Sequence, residues 1–151
     1  MKSILKYCDM YPPITRPVSI PLFSNKLEYK IEIQEDMRNI KIPYFSIQPL
    51  IENSIIHGLL PLKAGGTLNL ICKKFDNYVS IDIIDDGAGI SEDKIIKIME
   101  KISSNGNKPR DTCCVGLKNC YRRFKLIYGD NFKFSLDSVI NKGTKVTIKI
   151  R

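Results

Sequence analysis

The sequence predicts an α/β (α+β) two-layer sandwich, in which a mixed, mostly antiparallel sheet carries its helices on one face. Neighbouring segments in which apolar and polar residues alternate are joined by short turns, which is typical of β-hairpins. Other segments repeat apolar residues at spacings of three and four, which indicates amphipathic helices. The 151 residues are enough for one domain with a substantial core.

The chain is expected to begin with an irregular segment. Residues 1–24 contain four prolines, and proline interrupts long helices. Residues 1–24 are therefore predicted to be a proline-rich arm or linker, and residues 25–151 to be the folded domain. Residues 27–33 alternate apolar and charged side chains, which predicts a half-buried strand at an edge of the sheet. A turn is predicted over residues 36–41.

The remaining strands are predicted as two hairpins, one around Asp76 and Asn77 and one around residues 141–144. Their strands are predicted over residues 67–74, 78–85, 132–136 and 145–150. Helices are predicted over residues 44–59, 92–101 and 115–128. Ser91 is in a position to cap the second helix, and Gly129 to end the third. Residues 102–114 show no periodicity and predict a mobile loop of the kind that often covers active sites.

The helix predicted over residues 44–59 has an apolar face and a polar face. Either Pro43 or Pro49 can occupy its first turn, where a missing N–H group is harmless. Glu52 and Asn53 are adjacent, and His57 lies one turn beyond Asn53 on the same face. The buried stripe is predicted to consist of Ile47, Leu50, Ile51, Ile55 and Leu59. A helix this apolar that also carries a carboxylate, an amide and an imidazole is a candidate for one half of a binding site.

An acidic turn broken by glycines provides the other half of the candidate site. Asp85 ends an apolar strand and is followed by Gly87 and Gly89. A carboxylate at this place can accept a hydrogen bond from an exocyclic amine, while glycine lets a flat ring approach the backbone, which suits adenine. Asn53 offers an amide oxygen to a hard cation such as Mg²⁺, which shares its other positions with phosphates and water. The helix start at residues 115–117 offers N–H groups to phosphate, and Thr144 offers a hydroxyl near the adenine.

Composition excludes several other classes of function. The net charge of +8 comes mostly from scattered lysines without an arginine–aromatic stripe, so no nucleic-acid partner is expected. The five cysteines are odd in number and irregularly spaced, which indicates a reducing cytosol, and the single histidine makes a zinc site improbable. No apolar run is long enough to span a membrane, and the first residues do not form a signal peptide.

Four motifs in order resemble the nucleotide-binding boxes of the GHKL ATPase superfamily, which has the Bergerat fold. Residues 48–58, Gln-Pro-Leu-Ile-Glu-Asn-Ser-Ile-Ile-His-Gly, are similar to the N box of LytS/YesM-like sensor histidine kinases. Residues 85–90 match the first glycine box, D-x-G-x-G. Residues 115–119 resemble the second glycine box, and residues 142–146 resemble the closing glycine–threonine strand. The resemblance covers roughly residues 27–151.

The resemblance implies the ATP-binding catalytic domain of a sensor histidine kinase in two-component signalling. It would bind Mg-ATP and donate the γ-phosphate to a histidine on a separate dimerisation segment, with a response regulator as a further partner. It would lie in the cytoplasm, as the cytosolic part of a sensor attached to the membrane by other segments. Asn53 would bind Mg²⁺, Asp85 the adenine amine, and residues 102–114 would form the ATP lid. Glu52 and Asn53 are the predicted catalytic residues, with Glu52 either a general base or a hydrogen-bonding partner. The predicted nucleotide-binding residues are Asn53, His57, Asp85, Gly87, Gly89, Ile90, Val115, Gly116, Leu117, Lys118 and Thr144.

Three departures from the family pattern support an alternative reading. Thr112 and Cys114 stand where the second box usually has glycine, and Ile56 stands where the N box usually has lysine. Lys108, Lys118 or Arg122 could replace that missing cation. No phosphoacceptor histidine is present, because the only histidine, His57, belongs to the N box. The alternative is a degenerate nucleotide-binding or protein-interaction module with an impaired lid.

Overall fold

In the part of the chain that the structure describes, a five-stranded sheet and three α-helices build the domain. The computed structural model describes residues 2–3, 27–37, 39–104 and 114–151. In chain order, strands β1 to β7 are Lys2–Ser3, Leu27–Ile33, Lys41–Ile42, Gly66–Phe75, Tyr78–Asp85, Phe132–Val139 and Gly143–Ile150. Helices α1 to α3 are Gln48–Asn53, Glu92–Ser103 and Val115–Tyr128. A π-helix, Ser54–Leu59, continues α1, and 3₁₀ turns cover Glu35–Met37 and Gly129–Asn131.

The sheet is mixed, as the sequence predicts. Its strand order is β2-β4-β5-β7-β6, so β2 lies at an edge, which confirms the prediction for residues 27–33. Strand β2 pairs in parallel with β4, and the other three pairings are antiparallel. The short strands β1 and β3 form a separate antiparallel ribbon. The hairpin β4–β5 turns at Asp76 and Asn77, as predicted.

The helices cover one face of the sheet and leave the other open, which confirms the two-layer prediction. Strand residues that point toward the helices are buried, among them Leu70, Cys72, Ile81, Ile83 and Ile148. On the open face Asp82 accepts a hydrogen bond from the Thr147 hydroxyl at 2.7 Å and lies 3.5 Å from the Lys145 ammonium. An antiparallel sheet tolerates such a solvated polar face.

Aromatic packing fixes α3 against the end of the sheet. Phe124 is fully buried, and its ring centroid lies 5.3 Å from that of Phe132. Tyr121 packs edge-on to Phe132 at the same centroid distance of 5.3 Å. Each such burial contributes about 1.5–3 kcal/mol. Cys120 lies in the same core, where burial raises the pKa of its thiol to about 12 and so keeps it unreactive.

The helix predicted over residues 44–59 begins later than expected. Residues 44–47 form a turn in which Phe45 has a φ of +52°, outside the helical range. The Arg123 guanidinium of α3 holds this turn, because its Nη1 donates to the Tyr44 carbonyl at 2.6 Å and to the Phe45 carbonyl at 3.2 Å. Pro49 therefore occupies the first helical turn and Pro43 lies before the helix.

Other element boundaries also differ from the prediction. Helix α2 continues to Ser103, so Ile102, which is buried, belongs to a helix and not to the predicted loop. Residues 105–113 of that loop lie outside the described residues, as do residues 1 and 4–24 of the predicted arm and residues 25 and 26 of the predicted domain. The last hairpin has longer strands and a shorter turn than predicted, because Asn141 and Gly143 both adopt positive φ.

Candidate nucleotide-binding site

A cavity of about 180 Å³ lies between the helices and the sheet. Three strands contribute its floor, with Asp85 on β5, Thr144 and Val146 on β7, and Leu136 on β6. The α1 and π-helix segment forms one wall. Gly89, Ile90 and the first half of α2 form a second, and the start of α3 forms the third. The two halves of the site predicted from the sequence therefore face one cavity.

Asp85 is the buried acidic group of this cavity, with only 3% of its surface exposed. Burial raises the pKa of its carboxyl above the ordinary value, and the neighbouring Asp86 adds to that rise. Hydrogen bonds from the Ser54 hydroxyl and from the N–H groups of Gly87 and Thr144 oppose it. The Gly87 bond is 3.0 Å long. A carboxylate has about four acceptor sites, so three donors leave capacity for one further donor, such as an amine of a ligand.

Two glycines bring the π-helix and the acidic turn into direct contact. A Cβ atom at Gly58 would lie 2.8 Å from Asp85 Oδ1, and one at Gly87 would lie 2.5 Å from the Gly58 carbonyl carbon. The Ala88 N–H donates to the Gly58 carbonyl at 2.9 Å, which ties the two segments together. The glycines thus position Asp85 beside the wall that carries Asn53.

The wall itself changes from α-helix to π-helix at Ser54. The Leu60 N–H bonds to the Ile55 carbonyl at 2.8 Å, five residues back, and short π segments are frequent at functional sites. Asn53, Ser54, His57 and Gly58 all line the cavity. The predicted apolar stripe is confirmed for its four buried members, Ile47, Leu50, Ile51 and Leu59, and Ile55 is half-buried.

Thr144 belongs to a hydroxyl network at the far side of the floor. Its Oγ1 lies 2.9 Å from Ser138 Oγ, and the Ser138 hydroxyl also donates to the Gly143 carbonyl at 2.7 Å. The Ile90 N–H donates to Ser138 Oγ at 2.8 Å. Ser138 therefore links the acidic turn to the closing strand, and it bonds to both Ile90 and Thr144, which line the cavity.

Seven of the predicted site residues line the cavity and five do not. Those that line it are Asn53, His57, Asp85, Gly89, Ile90, Leu117 and Thr144. Glu52 is exposed, and its carboxylate accepts a hydrogen bond from Gln48 Nε2 at 2.7 Å. Gly87 and Gly116 allow close packing, since a Cβ at Gly116 would lie 3.1 Å from Pro49 Cβ. Val115 is half exposed, and Lys118 Nζ lies 3.4 Å from Ser104 Oγ. The roles of all twelve residues stay predictions.

Three residues of the site escaped the sequence reasoning. Ser54 is a buried hydroxyl that holds Asp85, Ser138 joins Ile90 to Thr144, and Lys94 places a cation at the cavity. The available signal for Ser54 was its place beside Asn53 in the polar segment of the helix. Ser138 and Lys94 carried no comparable signal, because neither lies in one of the four motifs.

Cys114 adopts the left-handed conformation that the family pattern usually assigns to glycine. It precedes α3 with a φ of +71° and also lines the cavity. A non-glycine residue in this region costs on the order of 1 kcal/mol. Cys114 is therefore locally strained at the start of α3, the helix predicted to offer its N–H groups to phosphate.

We expect Cys114→Gly to raise the free energy of unfolding by about 0.5–1 kcal/mol, because glycine relieves this strain. Urea denaturation monitored by circular dichroism measures the change. Asn141→Gly is the matched control, since Asn141 also has a positive φ, +60°, but asparagine tolerates that region and should gain less. A loss of stability in Cys114→Gly would contradict the strain at this position.

The donor set of the cavity fits a metal that arrives with phosphate. Asn53 offers one hard oxygen ligand, and Mg²⁺ commonly takes its remaining ligands from phosphate and water. Among the described residues, no group of three or more His, Cys, Asp or Glu side chains could hold an ion by itself. When bound, Mg²⁺ would neutralise phosphate charge near Asn53.

Comparisons with known proteins agree with this geometry. Residues 39–151 match the family described as histidine kinase-, DNA gyrase B- and HSP90-like ATPase. The chain is 38% identical over 108 residues to the sensor histidine kinase YpdA of Escherichia coli, covering 72% of this chain and 18% of that protein. It is 32% identical over 126 residues to the sensor protein LytS of Oceanobacillus iheyensis, covering 82% and 21%. The chain thus spans about a fifth of each of these two proteins.

Solved structures support the fold. The catalytic domain of the histidine kinase ThkA aligns with a TM-score of 0.60 at 18% identity, covering 82% of this chain and 77% of that one. The histidine kinase domain of a blue-light activated kinase from Erythrobacter litoralis aligns with a TM-score of 0.58 at 18% identity, covering 83% and 52%. Within the described residues, no helix is long and apolar enough to cross a membrane.

The family match covers residues 39–151, which is most of the chain, and the two relatives above are named as a sensor histidine kinase and a sensor protein. The chain therefore belongs to the histidine kinase-, DNA gyrase B- and HSP90-like ATPase family, and is a GHKL ATP-binding domain of the LytS/YesM-like kind.

Proposed function

We propose that this domain binds Mg-ATP and donates the γ-phosphate to a histidine on a separate dimerisation segment in two-component signalling. The observation that carries the proposal is Asp85, a buried carboxylate at the floor of the cavity with acceptor capacity left for an amine. The exocyclic amine of adenine fits that place. A response regulator would take the phosphoryl group in turn, and the domain would work in the cytoplasm.

Different residues around the cavity would contact different parts of the nucleotide. Asp85 accepts from the adenine amine, Thr144 supports the base through its hydroxyl, and Ile90 and Leu117 supply apolar contact. Asn53 would hold Mg²⁺, which would neutralise phosphate charge, and His57 lines the same wall of the cavity. Glu52 is proposed either as a general base or as a hydrogen-bonding partner, and its carboxylate accepts a hydrogen bond from Gln48.

The transfer itself needs positioning more than covalent chemistry from the domain. A nitrogen of the acceptor histidine forms a bond to the γ-phosphorus as the bond to the bridging oxygen breaks, and ADP leaves with that electron pair. His57 is the only histidine of the 151 residues, and it lines the nucleotide cavity. The acceptor histidine is therefore expected on another segment or chain.

Asn53→Ala is expected to remove most of the Mg²⁺ dependence of ATP binding while it spares the adenine contact. Isothermal titration with ATP measures the affinity with and without Mg²⁺, and the ratio of the two affinities gives the Mg²⁺ dependence. Asn69→Ala is the matched control, because Asn69 pairs with Ile84 on the open face of the sheet, away from the cavity. If Asn53→Ala weakens binding equally with and without Mg²⁺, Asn53 does not act through the metal.

A second candidate function follows from the lid. The left-handed Cys114 and the exposed Ile56, which does not line the cavity, fit a module that holds nucleotide weakly and acts through protein contacts. Titration of the unmodified domain separates the two functions. Micromolar ATP binding supports the kinase domain, and no binding at millimolar ATP supports the degenerate module.

A further inference from the structure

Lys94 places a positive charge at the cavity. It lies in the first turn of α2 and is the only Lys or Arg among the described residues that line this space. Its ammonium forms no hydrogen bond or ion pair with any residue in the described part of the chain. The charge is therefore free to act on a ligand.

The position of Lys94 is unfavourable for the helix that carries it. Ser91 is the N-cap residue, so Lys94 occupies the third helical position, N3. Glutamate is preferred at N3, where it completes a capping box, and the helix dipole disfavours a cation in the first turn. Ser91 makes no side-chain capping bond here. Helix stability therefore does not account for a lysine at residue 94, whereas a ligand of negative charge does.

Of the other candidate cations, Lys108 lies outside the described residues, and Lys118 and Arg122 contact the end of α2. Lys118 Nζ lies 3.4 Å from Ser104 Oγ, and Arg122 Nη2 donates to the Ser104 carbonyl at 3.5 Å. Both therefore reach the end of α2, and neither lines the cavity. Ile56, which stands where the N box usually has lysine, carries no charge. Lys94 thus reaches the cavity from α2, a different wall from the N-box helix.

We propose that Lys94 binds the phosphate groups of the nucleotide and so replaces the cation that the N-box helix lacks. This inference rests on the proposed ATP-binding function. An ammonium acts on phosphate as a point charge, and a charge-assisted bond is stronger than a neutral one. A ligand with more phosphate charge should therefore depend more on Lys94.

The test compares Lys94→Ala and Lys94→Glu with Lys97→Ala and Lys97→Glu, by titration with ATP, ADP and adenosine. Lys97 is exposed on the same helix and does not line the cavity. We expect Lys94→Ala to weaken ATP binding by about three- to tenfold and Lys94→Glu by more, with ADP affected less and adenosine within about twofold. The Lys97 variants should change ATP binding by less than about twofold.

A melting curve of each variant shows whether weaker ATP binding comes from the lost contact or from a destabilised fold. Lys94→Glu completes the capping box and suits the helix dipole, so its melting temperature should equal or exceed that of the unmodified domain. Weaker ATP binding in a domain that is no less stable cannot come from damage to the fold. The loss should also shrink at high salt, because salt screens a partly exposed charge.

Two results would overturn the inference, and both leave the proposed function standing. One is an unchanged ATP affinity in Lys94→Ala while the unmodified domain binds ATP. The other is an equal loss for ATP and adenosine, which would assign Lys94 to the nucleoside. If the unmodified domain binds neither ligand, the proposed function fails first and the inference falls with it.

Discussion

Gly143→Ala is expected to lower the free energy of unfolding by more than about 3 kcal/mol, among the largest costs that a single methyl group can impose. Gly143 has a φ of +104°, where an alanine is strained. The added Cβ would also overlap the carbonyl oxygen of Asp85 on the neighbouring strand. Both strands would have to separate at the floor of the cavity. Urea denaturation monitored by circular dichroism measures the loss.

Gly129→Ala is the matched control for this prediction. Gly129 also has a positive φ, +54°, but an added Cβ would meet nothing within 4 Å. Its cost should be the conformational term alone, about 1 kcal/mol. Equal costs for the two variants would show that the close approach of Gly143 to Asp85 does not matter to the fold.

Asp85→Asn is expected to weaken ATP binding by about ten- to a hundredfold, the cost of losing one charge-assisted hydrogen bond. The asparagine keeps the size of the side chain but presents an amide to the adenine amine. Asp86→Asn is the matched control. Asp86 is exposed and does not line the cavity, and its Oδ1 accepts the Thr67 N–H at 2.7 Å. The Asp86→Asn substitution removes the same charge one residue away and should leave ATP affinity within about threefold of that of the unmodified domain.

The pH dependence of binding provides a second readout on Asp85. Burial raises the pKa of Asp85, so its carboxyl takes up a proton at a higher pH than an ordinary aspartate. The protonated group is a weaker acceptor, and ATP affinity should therefore fall as the pH drops through that raised pKa. The apo domain should respond in the opposite direction. A raised pKa in the folded state makes the contribution of Asp85 to stability greatest below its unfolded pKa, and that contribution is lost as the pH rises.

The layers of the domain follow from patterns that the sequence displays directly. Alternation over residues 27–33 and 78–85 fixes which side chains face the helices, because a strand has a period of two. Asp85, Gly87 and Gly89 could be placed at one turn because glycines follow an apolar strand there. The structure shows why glycine is needed, since an added Cβ at Gly87 or Gly89 would overlap neighbouring backbone. The chemistry of adenine and Mg²⁺-phosphate binding joined this turn with Asn53 in one predicted site, and the family resemblance implied the same pairing.

Tertiary contacts determine the features that the sequence did not predict, namely the late start of α1, the π-helical turn and the place of Lys94 at the cavity. Arg123, 78 residues from Phe45, holds the turn that delays α1, and no local propensity predicts such a contact. The π-helical turn at residues 54–59 accommodates the packing of Gly58 against Asp85, again a long-range constraint. Lys94 was missed for a related reason, since only the folded chain brings its helix to the cavity.

Recognition of the adenine amine by Asp85 is tested most directly by comparing adenosine with purine riboside, which lacks only that amine. Titration of both nucleosides into the unmodified domain and into Asp85→Asn isolates the single contact. The account predicts that the unmodified domain prefers adenosine by about tenfold or more and that the preference disappears in Asp85→Asn. Equal binding of the two nucleosides by the unmodified domain, or a preference that survives the substitution, would contradict it.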